Sequence, residues 1–221
     1  MKMIGRIETE YPEKFGIPRQ SGLVENKGRI IFEQEYRVPE AFRGLEEFSH
    51  IWILWEFSEA KRDNWSPTVR PPLLGGNKRM GVFATRSPFR PNAIGLSCVK
   101  LEKIEYTKND GPVLHVLGAD LLNGTPIYDI KPYLPYADSH PDAVGGFTEH
   151  LKERKLLVEI ATDEFYKIPK SLQQEIIQVL SHDPRPSYQE DDKIYGIKYS
   201  NYEIKFQVKE KILTILSIFE S

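Results

Sequence analysis

The sequence predicts a mainly β fold: a compact antiparallel β-barrel domain followed by a small C-terminal α+β domain. Residues 1–145 contain short runs of β-branched and aromatic residues separated by glycine, proline and asparagine. Many short strands with such joints favour a closed or partly closed antiparallel barrel. After Gly145 and Gly146 the pattern changes to one amphipathic helix and two further strands. We therefore predict domains at 1–146 and 147–221.

The barrel strands are predicted from alternation and from β-branched or aromatic composition. Residues 108–111, Lys-Asn-Asp-Gly, predict a hairpin turn, because Asp-Gly tolerates the positive φ that such turns need. Only residues 39–47 have a helical pattern in this part of the chain. The strand-like segments are residues 4–9, 22–35 with a turn at 25–28, 50–57, 80–85, 96–107 and 113–117.

The C-terminal unit is predicted from one helix and a strand pair. Residues 171–180 are predicted to be a helix with Ser171 as the expected N-cap, and its apolar face holds Leu172, Ile176, Val179 and Leu180. Residues 202–208 alternate strictly and residues 212–219 follow as a partner strand. A unit of about 70 residues is marginal by itself, so we expect it to pack on the barrel.

Composition limits the classes of partner and compartment. The 221 residues include 28% charged residues but carry a formal net charge of only -2. A polyanion such as a nucleic acid must therefore be met by a local basic patch. Cys98 is the single cysteine, which excludes an internal disulfide and favours a reducing compartment. The sequence has no apolar leader and no run of about 20 apolar residues, so we expect a soluble cytoplasmic protein.

The stretch TRSPFRPNAIGLS, residues 85–97, holds Arg86 and Arg90 between prolines that restrict the backbone. It lies in a segment, residues 61–100, with many cations, the single acid Asp63, and the aromatic residues Trp65 and Phe89. Cations interleaved with aromatic side chains suit a nucleic acid, whereas a charge run alone is also typical of a solvated surface. For the two rigidly framed arginines, the pattern favours ligand binding.

A second polar cluster spans residues 120–138, which are predicted to be irregular. Its carboxylates can accept hydrogen bonds from ribose hydroxyls, and its tyrosines can stack on a base. Turn-capping aspartates and half-buried packing tyrosines explain the same pattern equally well. The members are Asp120, Asp129, Asp138, Tyr128, Tyr133 and Tyr136.

Other motifs give weaker signals. The five histidines show no i, i+4 pair and no cysteine partner, which makes a zinc site an unfavoured prediction. No G-x-G-x-x-G follows a strand and no G-x-S-x-G is present. Cys98 lies in a strand-like LSCVKL, where a buried structural thiol is expected. The tripeptide Pro18-Arg19-Gln20 is equally compatible with a ligand clamp and with a turn.

Four longer motifs follow one another over nearly the whole chain: KFGIPRQSGL, TRSPFRPNAIGLSCVKL, DLLNGTPIYDIKPYLPYAD and SHDPRPSY. Together they closely resemble the TsaA-like (TrmO) tRNA methyltransferase family. The resemblance implies a β-barrel enzyme that uses S-adenosylmethionine, without a metal, to methylate N6 of the threonylcarbamoylated adenosine 3′ of the tRNA anticodon. It also implies a homodimer with the cofactor near the subunit interface.

The resemblance also implies a cofactor site. Two departures from the family pattern stand out: Ala93 replaces a proline found in many relatives, and Asn123 replaces an aspartate, which puts a charge at that position in doubt. The Asn123 carbonyl can still accept a hydrogen bond. The cofactor residues carried over are Pro18, Arg19, Gln20, Phe57, Ser58, Arg86, Leu96, Asp120, Leu121, Leu122, Asn123 and Gly124.

The remaining polar residues are assigned to the tRNA and to proton transfer. Asp120, Asp129 and Asp138 are alternative acceptors for the N6 proton, because loss of that proton should assist attack. The competing hypothesis is a non-catalytic adenosyl- or RNA-binding module on the same barrel, which Asn123 slightly favours. The residues expected to hold the anticodon loop are Lys78, Arg79, Arg90, Tyr128, Lys131, Tyr133 and Tyr136.

Overall fold

The first part of the chain forms a closed antiparallel barrel. The computed structural model describes residues 1–60, 64–71, 74, 78–151, 155–185 and 193–220. The strands of the barrel are β1 (Gly5–Thr9), β2 (Lys27–Phe32), β3 (His50–Glu56), β6 (Ile94–Thr107), β7 (Gly111–Leu117) and β8 (Pro126–Pro132). The barrel order is β1-β2-β7-β6-β3-β8, and β8 pairs with β1 to close it. This confirms the predicted fold class.

Strict alternation along β3 and β6 builds the barrel core. Ile51, Ile53 and Trp55 are buried on β3, while Val99 and Leu101 are buried on β6. Because successive side chains point to opposite faces, Ile94 and Leu96 at the start of β6 face outward and are exposed. The predicted hairpin between β6 and β7 is confirmed, with Gly111 at a φ of +64°.

Several predictions for the barrel region are wrong in detail: β2 begins at Lys27, inside the turn predicted at 25–28, and residues 39–47 form two short 3₁₀ helices, Pro39–Phe42 and Leu45–Glu47. Residues 80–85 are not one strand, because only β5 (Met80–Gly81) pairs, with β4 (Thr68–Val69) in a separate ribbon, before a 3₁₀ turn at Val82–Ala84. The Val82 N–H bonds to the Pro67 carbonyl, and the Thr85 N–H bonds back to the Val82 carbonyl. Residues 126–132 are not irregular, because they form β8 with a proline at each end.

The C-terminal unit is a four-stranded sheet against one helix. Its order is β10-β11-β12-β9, antiparallel except for the parallel pair β12–β9. The strand pair β11–β12 confirms the prediction, whereas β9 and β10 were not predicted. The helix was predicted, but its N-cap is Pro169 without a side-chain hydrogen bond, so Ser171 as the N-cap is wrong. The elements of this unit are β9 (Leu157–Ile160), α2 (Lys170–Ser181), β10 (Ile194–Tyr199), β11 (Tyr202–Lys209) and β12 (Ile212–Glu220). A short helix α1 (Pro135–Asp138) follows β8 and precedes the unit.

The two units share part of a core. Tyr11 and Val24, from the connection between β1 and β2, are buried together with Ile176 and Phe206 of the C-terminal unit. The C-terminal unit therefore packs on the barrel, and it does so through the segment that also carries Pro18-Arg19-Gln20. In the described part of the chain, none of the helices combines the length and the apolarity needed to cross a membrane.

Candidate active site

A cleft of about 710 Å³ lies where four chain segments meet at one end of the barrel. The segments are the β1–β2 connection, the end of β3 and the turn after it, the TRSPFRPNAIGL loop leading into β6, and the β7–β8 connection. This volume lies within the range of small-molecule sites, roughly 300–1,000 Å³. The predicted cofactor residues that line the cleft are Pro18, Arg19, Gln20, Phe57, Ser58, Arg86, Leu96, Asp120 and Leu122.

Three predicted cofactor residues are not among those that line the cleft. Leu121 is fully buried in the barrel core. The Asn123 side-chain carbonyl accepts a hydrogen bond of 3.1 Å from the Thr9 N–H, and the Gly124 N–H donates to the Ile7 carbonyl at 2.8 Å. The Asn123 and Gly124 bonds hold the 120–124 loop against β1.

Asp120 is a largely buried carboxylate that lines the cleft, as Glu56 and Glu59 also do. Its Oδ1 accepts a 2.5 Å hydrogen bond from the Ser97 hydroxyl, which in turn accepts one of 2.9 Å from the Trp55 indole N–H. Burial raises the pKa of Asp120, while the Ser97 hydroxyl, the Arg86 charge and the Ser21 backbone oppose that rise. A carboxylate with a raised pKa that faces a cleft is a candidate proton acceptor.

Gly95 is required by the position of Trp55. A Cβ at residue 95 would fall inside the van der Waals radius of the Trp55 indole ring. The same indole lies 4.2 Å from the Phe57 ring, measured between centroids. Glycine at this point of β6 therefore lets the two aromatic rings form one wall of the cleft.

Both arginines of the TRSPFRPNAIGL loop line the cleft. The Arg86 guanidinium donates to the Gln20 side-chain carbonyl and so joins this loop to the β1–β2 connection. Arg90 donates to the Thr85 carbonyl at 3.0 Å, and its guanidinium lies 5.9 Å from the centre of the Phe83 ring. Phe83 is 73% exposed and stacks on Trp65, which is 51% exposed. Arg90 therefore belongs both to the cleft and to an exposed aromatic pair beside it.

The three candidate aspartates are separated by the structure. Asp129 pairs with Lys131 at 3.0 Å on β8. Asp138 accepts bonds from the Leu134 N–H at 2.8 Å and the Trp52 indole at 3.0 Å, and the first of these contributes most to lowering the pKa of Asp138. Asp138 thus caps the turn that begins at Leu134. Among the described residues, Asp120 is the member of this set that lines the cleft.

The predicted RNA-binding residues do not form one cluster around the cleft. The Tyr128 hydroxyl donates to Glu56 at 2.6 Å, and Glu56 lines the cleft. Tyr133 packs on Trp52, while Tyr136 is 88% exposed. Lys78 and Arg79 lie next to the β4–β5 ribbon, where Arg79 donates to Thr68 at 2.9 Å. Lys61, Arg62 and Asp63 of the basic segment, and residues 186–188 of SHDPRPSY, lie outside the described residues.

Sequence reasoning missed several residues of the site. Trp55, Gly95 and Ser97 shape the cleft wall and hold Asp120, and Lys14 and Ile17 also line the cleft. A serine among the inward-facing residues of β6 was the available signal for Ser97, since a buried hydroxyl needs a partner.

Cys98 is half-buried, and burial raises the pKa of its thiol. In the described residues, no group of three or more His, Cys, Asp or Glu side chains could hold a metal ion.

The fold and the site define a closed six-stranded barrel with a cleft lined by aromatic residues, arginines and a buried carboxylate. Comparison with known families specifies the class further. Residues 6–139 match the model of the tRNA-methyltransferase O N-terminal domain, and residues 155–221 match that of the TrmO C-terminal domain. The chain belongs to the tRNA-methyltransferase O family.

Individual relatives agree with this assignment over most of their length. A tRNA (adenine(37)-N6)-methyltransferase of Escherichia coli strain K12 is 42% identical over 220 residues, covering 95% of this chain and 93% of the relative. A protein of the same name from Eikenella corrodens is 43% identical over 175 residues, covering 77% and 97%. The crystal structure of TrmO from P. aeruginosa has a TM-score of 0.79 at 33% identity, over 99% of this chain and 95% of that chain.

Proposed function

We propose that this chain is an S-adenosylmethionine-dependent methyltransferase that modifies N6 of adenosine 37 in tRNA. We propose further that its substrate is the threonylcarbamoylated form of that adenosine, 3′ of the anticodon. Two relatives similar over most of their length bear the name of the adenine(37)-N6 activity. The observation in this molecule that supports the proposal is a cleft in which a guanidinium, an amide and a buried carboxylate face one cavity.

The donor set of the cleft fits the proposed cofactor. Arg86 and Gln20 suit the carboxylate and amino ends of an amino-acid group, because a guanidinium and an amide carbonyl are complementary to them. Aromatic and aliphatic side chains supply the apolar surface that an adenine ring and a methylene chain need. When bound, S-adenosylmethionine supplies an electrophilic methyl group. The residues that would hold it are Pro18, Arg19, Gln20, Phe57, Ser58, Arg86, Leu96 and Leu122.

Asp120 is the residue we propose as acceptor of the N6 proton. Methyl transfer is an in-line displacement, so the protein must align the reacting groups and remove one proton. Asp120 faces the cleft, and burial makes its carboxylate more basic than an exposed one. Ser97 and Trp55 fix the orientation of that carboxylate through consecutive hydrogen bonds. Asp129 and Asp138 are engaged elsewhere and are not part of this step.

The anticodon loop is proposed to lie across Arg90 and the aromatic residues beside it. Single-stranded loops present splayed bases that stack on aromatic side chains, while arginines and lysines meet the phosphates. Phe83 and Trp65 are exposed next to Arg90. Further proposed contacts to the tRNA lie at a greater distance from Arg90. They are Lys78, Arg79, Lys131, Tyr128, Tyr133 and Tyr136.

We also propose that the chain acts as a cytoplasmic homodimer with the cleft near the subunit interface. Leu96 and Ile94 are outward-facing apolar residues that line the cleft, and they are 55% and 38% exposed. Exposed apolar residues beside a site are typical of an interface. The half-buried free thiol of Cys98 suits a reducing compartment.

The non-catalytic module receives no support from the structure of the site. It rested on Asn123, whose side-chain carbonyl bonds to the Thr9 N–H within the loop that holds Asp120. A carboxylate is not needed for that bond. We therefore retain the catalytic proposal alone.

The proposal is tested by incubating the chain with methyl-labelled S-adenosylmethionine and tRNA, followed by mass analysis of the nucleosides. We expect one added methyl group on N6 of threonylcarbamoyladenosine and far less product from tRNA that lacks the threonylcarbamoyl group. Cofactor binding without a methylated nucleoside would favour the non-catalytic module. Failure to bind the cofactor would overturn the methyltransferase proposal.

A further inference from the structure

The segment between β1 and β2 belongs to two parts of the molecule at once. It supplies Pro18, Arg19 and Gln20 to the cleft. The same segment is embedded in the C-terminal unit, because Tyr11 is fully buried in that core and its ring lies 5.4 Å from the ring of Tyr199, edge to face. The position of one wall of the cleft therefore depends on the C-terminal unit, although none of the described residues of that unit lines the cleft.

Backbone contacts fix this segment along its first half. The Ser200 N–H donates to the Glu10 carbonyl at 2.7 Å, and the Lys198 N–H donates to the Glu13 carboxylate at 3.1 Å. Gly16 has a φ of +98°, and a Cβ there would overlap the Ile197 side chain. Glycine at position 16 therefore permits both the positive φ and the close approach of the segment to β10.

The second half of the segment meets the end of α2. The Glu25 N–H donates to the Gln178 side-chain carbonyl at 2.9 Å. The contact nearest the cleft is made by Arg19, whose guanidinium donates to the Arg185 carbonyl at 2.8 Å and to the Asp183 carbonyl at 3.5 Å.

Asp183 shapes the turn that presents those carbonyls. Its backbone is left-handed, with a φ of +49°, directly after the end of α2. Its carboxylate holds the Arg185 guanidinium through two bonds, of 2.9 Å and 3.1 Å, and also accepts from the Arg185 N–H at 3.3 Å. A two-pronged charged pair of this kind fixes geometry as well as adding energy.

We propose that the C-terminal unit positions the cofactor side of the cleft, with Asp183 acting as a positioning residue through Arg19. The chain of contacts runs from the Asp183–Arg185 turn to Arg19, then to the neighbouring Gln20, and from Gln20 to Arg86 across the cleft. This inference rests on the proposed function, because it treats the cleft as the cofactor site.

The test measures binding of S-adenosylhomocysteine by calorimetry to the full chain and its variants. Asp183→Asn retains a residue that tolerates the left-handed backbone but removes the charge that holds Arg185. We expect its Kd to rise about 5-fold and the KM for S-adenosylmethionine to rise similarly, with little change in kcat. The control is Asp163→Asn, which removes an exposed carboxylate of the same unit and should leave all three constants unchanged.

A double-variant comparison separates positioning from loss of folding. If Asp183 acts through Arg19, Arg19→Ala combined with Asp183→Asn binds no more weakly than Arg19→Ala alone. Additive losses, or an unchanged Kd in Asp183→Asn, would overturn the inference while the parent chain still binds and methylates. Absence of binding by the parent chain would overturn the proposed function, and this inference with it.

Discussion

The Asp120 carboxylate, which lines the cleft, and the Ser97 hydroxyl are joined by a 2.5 Å hydrogen bond. Ser97 is almost completely buried, and its hydroxyl oxygen also accepts the Trp55 indole N–H at 2.9 Å. The serine therefore has its donor directed at Asp120 and cannot easily turn away. This arrangement stabilises the ionised carboxylate in a place where burial alone disfavours it.

Ser97→Ala should shift the acid limb of the kcat/KM profile to higher pH. Loss of the hydroxyl removes a bond that lowers the pKa of Asp120, so burial raises that pKa further. The ionised, proton-accepting form is then reached only at higher pH. The measurement is methyl transfer at a series of pH values. Cys98→Ala, at the next position on β6 and on the opposite face, is the control; an equal shift in both variants would contradict the role of Ser97.

Gly95→Ala should destabilise the fold and impair the cleft. The added methyl group would overlap the Trp55 indole, and overpacking of this kind typically costs about 1–3 kcal/mol. For a chain of this size, each kcal/mol corresponds to a fall of about 2–4 °C in Tm. Thermal unfolding of Gly95→Ala and of Gly81→Ala provides the comparison, because a Cβ at Gly81 would meet no atom within 4 Å. Equal Tm values for the two variants would show that Trp55 can move aside.

Arg86→Ala should weaken cofactor binding about tenfold or more. A hydrogen bond to a charged group contributes about 1.5–3 kcal/mol, and 1.4 kcal/mol is a factor of ten in Kd. Calorimetric titration with S-adenosylhomocysteine measures the effect. Because the Arg86 charge also lowers the pKa of Asp120, the acid limb of the variant should move to higher pH. An unchanged Kd would remove Arg86 from the proposed cofactor site.

Arg90→Ala should mainly weaken tRNA binding and reduce its salt dependence. Replacing one phosphate-binding cation lowers the slope of log K against log salt by about one unit. Filter binding of tRNA over a salt series measures the slope. Arg29→Ala is the matched control, since Arg29 lies on β2 and pairs with Glu8. If both variants retain the parent slope, the phosphate contact assigned to Arg90 is wrong.

Glu175→Gln should raise the stability of the protein at pH 8 but not at pH 4. Burial raises the pKa of Glu175, whose carboxylate accepts a 2.6 Å bond from the Tyr199 hydroxyl. An acid with a raised folded-state pKa loses stability as pH rises from its unfolded pKa through its folded one. Glutamine avoids that loss and still accepts from Tyr199. Thermal unfolding at both pH values is the measurement, and a lower Tm for the variant at pH 8 would contradict the expectation.

The fold was predictable from the sequence where local alternation determines it. Ile51, Ile53 and Trp55 alternate with outward-facing residues along β3, and the pattern was visible without the structure. Residues 126–132 form a strand because each of its prolines lies at a strand end, where the ladder tolerates it. In residues 80–85 the strand ends at Gly81, because the Val82 N–H bonds to the Pro67 carbonyl and a 3₁₀ turn follows.

The site was predictable only in part, because its contacts join residues far apart in the sequence. Arg86 and Gln20 were both expected at the cofactor site, but their hydrogen bond spans 66 residues. The Trp55–Ser97 bond spans 42 residues, and no local spacing signals it. The three aspartates of the 120–138 cluster looked equivalent by spacing, and only the barrel geometry directs Asp120 into the cleft and Asp138 into a turn.

A crystal structure of the chain with S-adenosylhomocysteine tests the central claim, that this cleft is the cofactor site, most directly. We predict ligand density between the Gln20–Arg86 pair and Leu122. The ligand should lie against the wall formed by Trp55 and Phe57, and Asp120 should face it. Ligand density at any other place on the molecule, with the cleft filled by solvent at saturating ligand, would contradict the account.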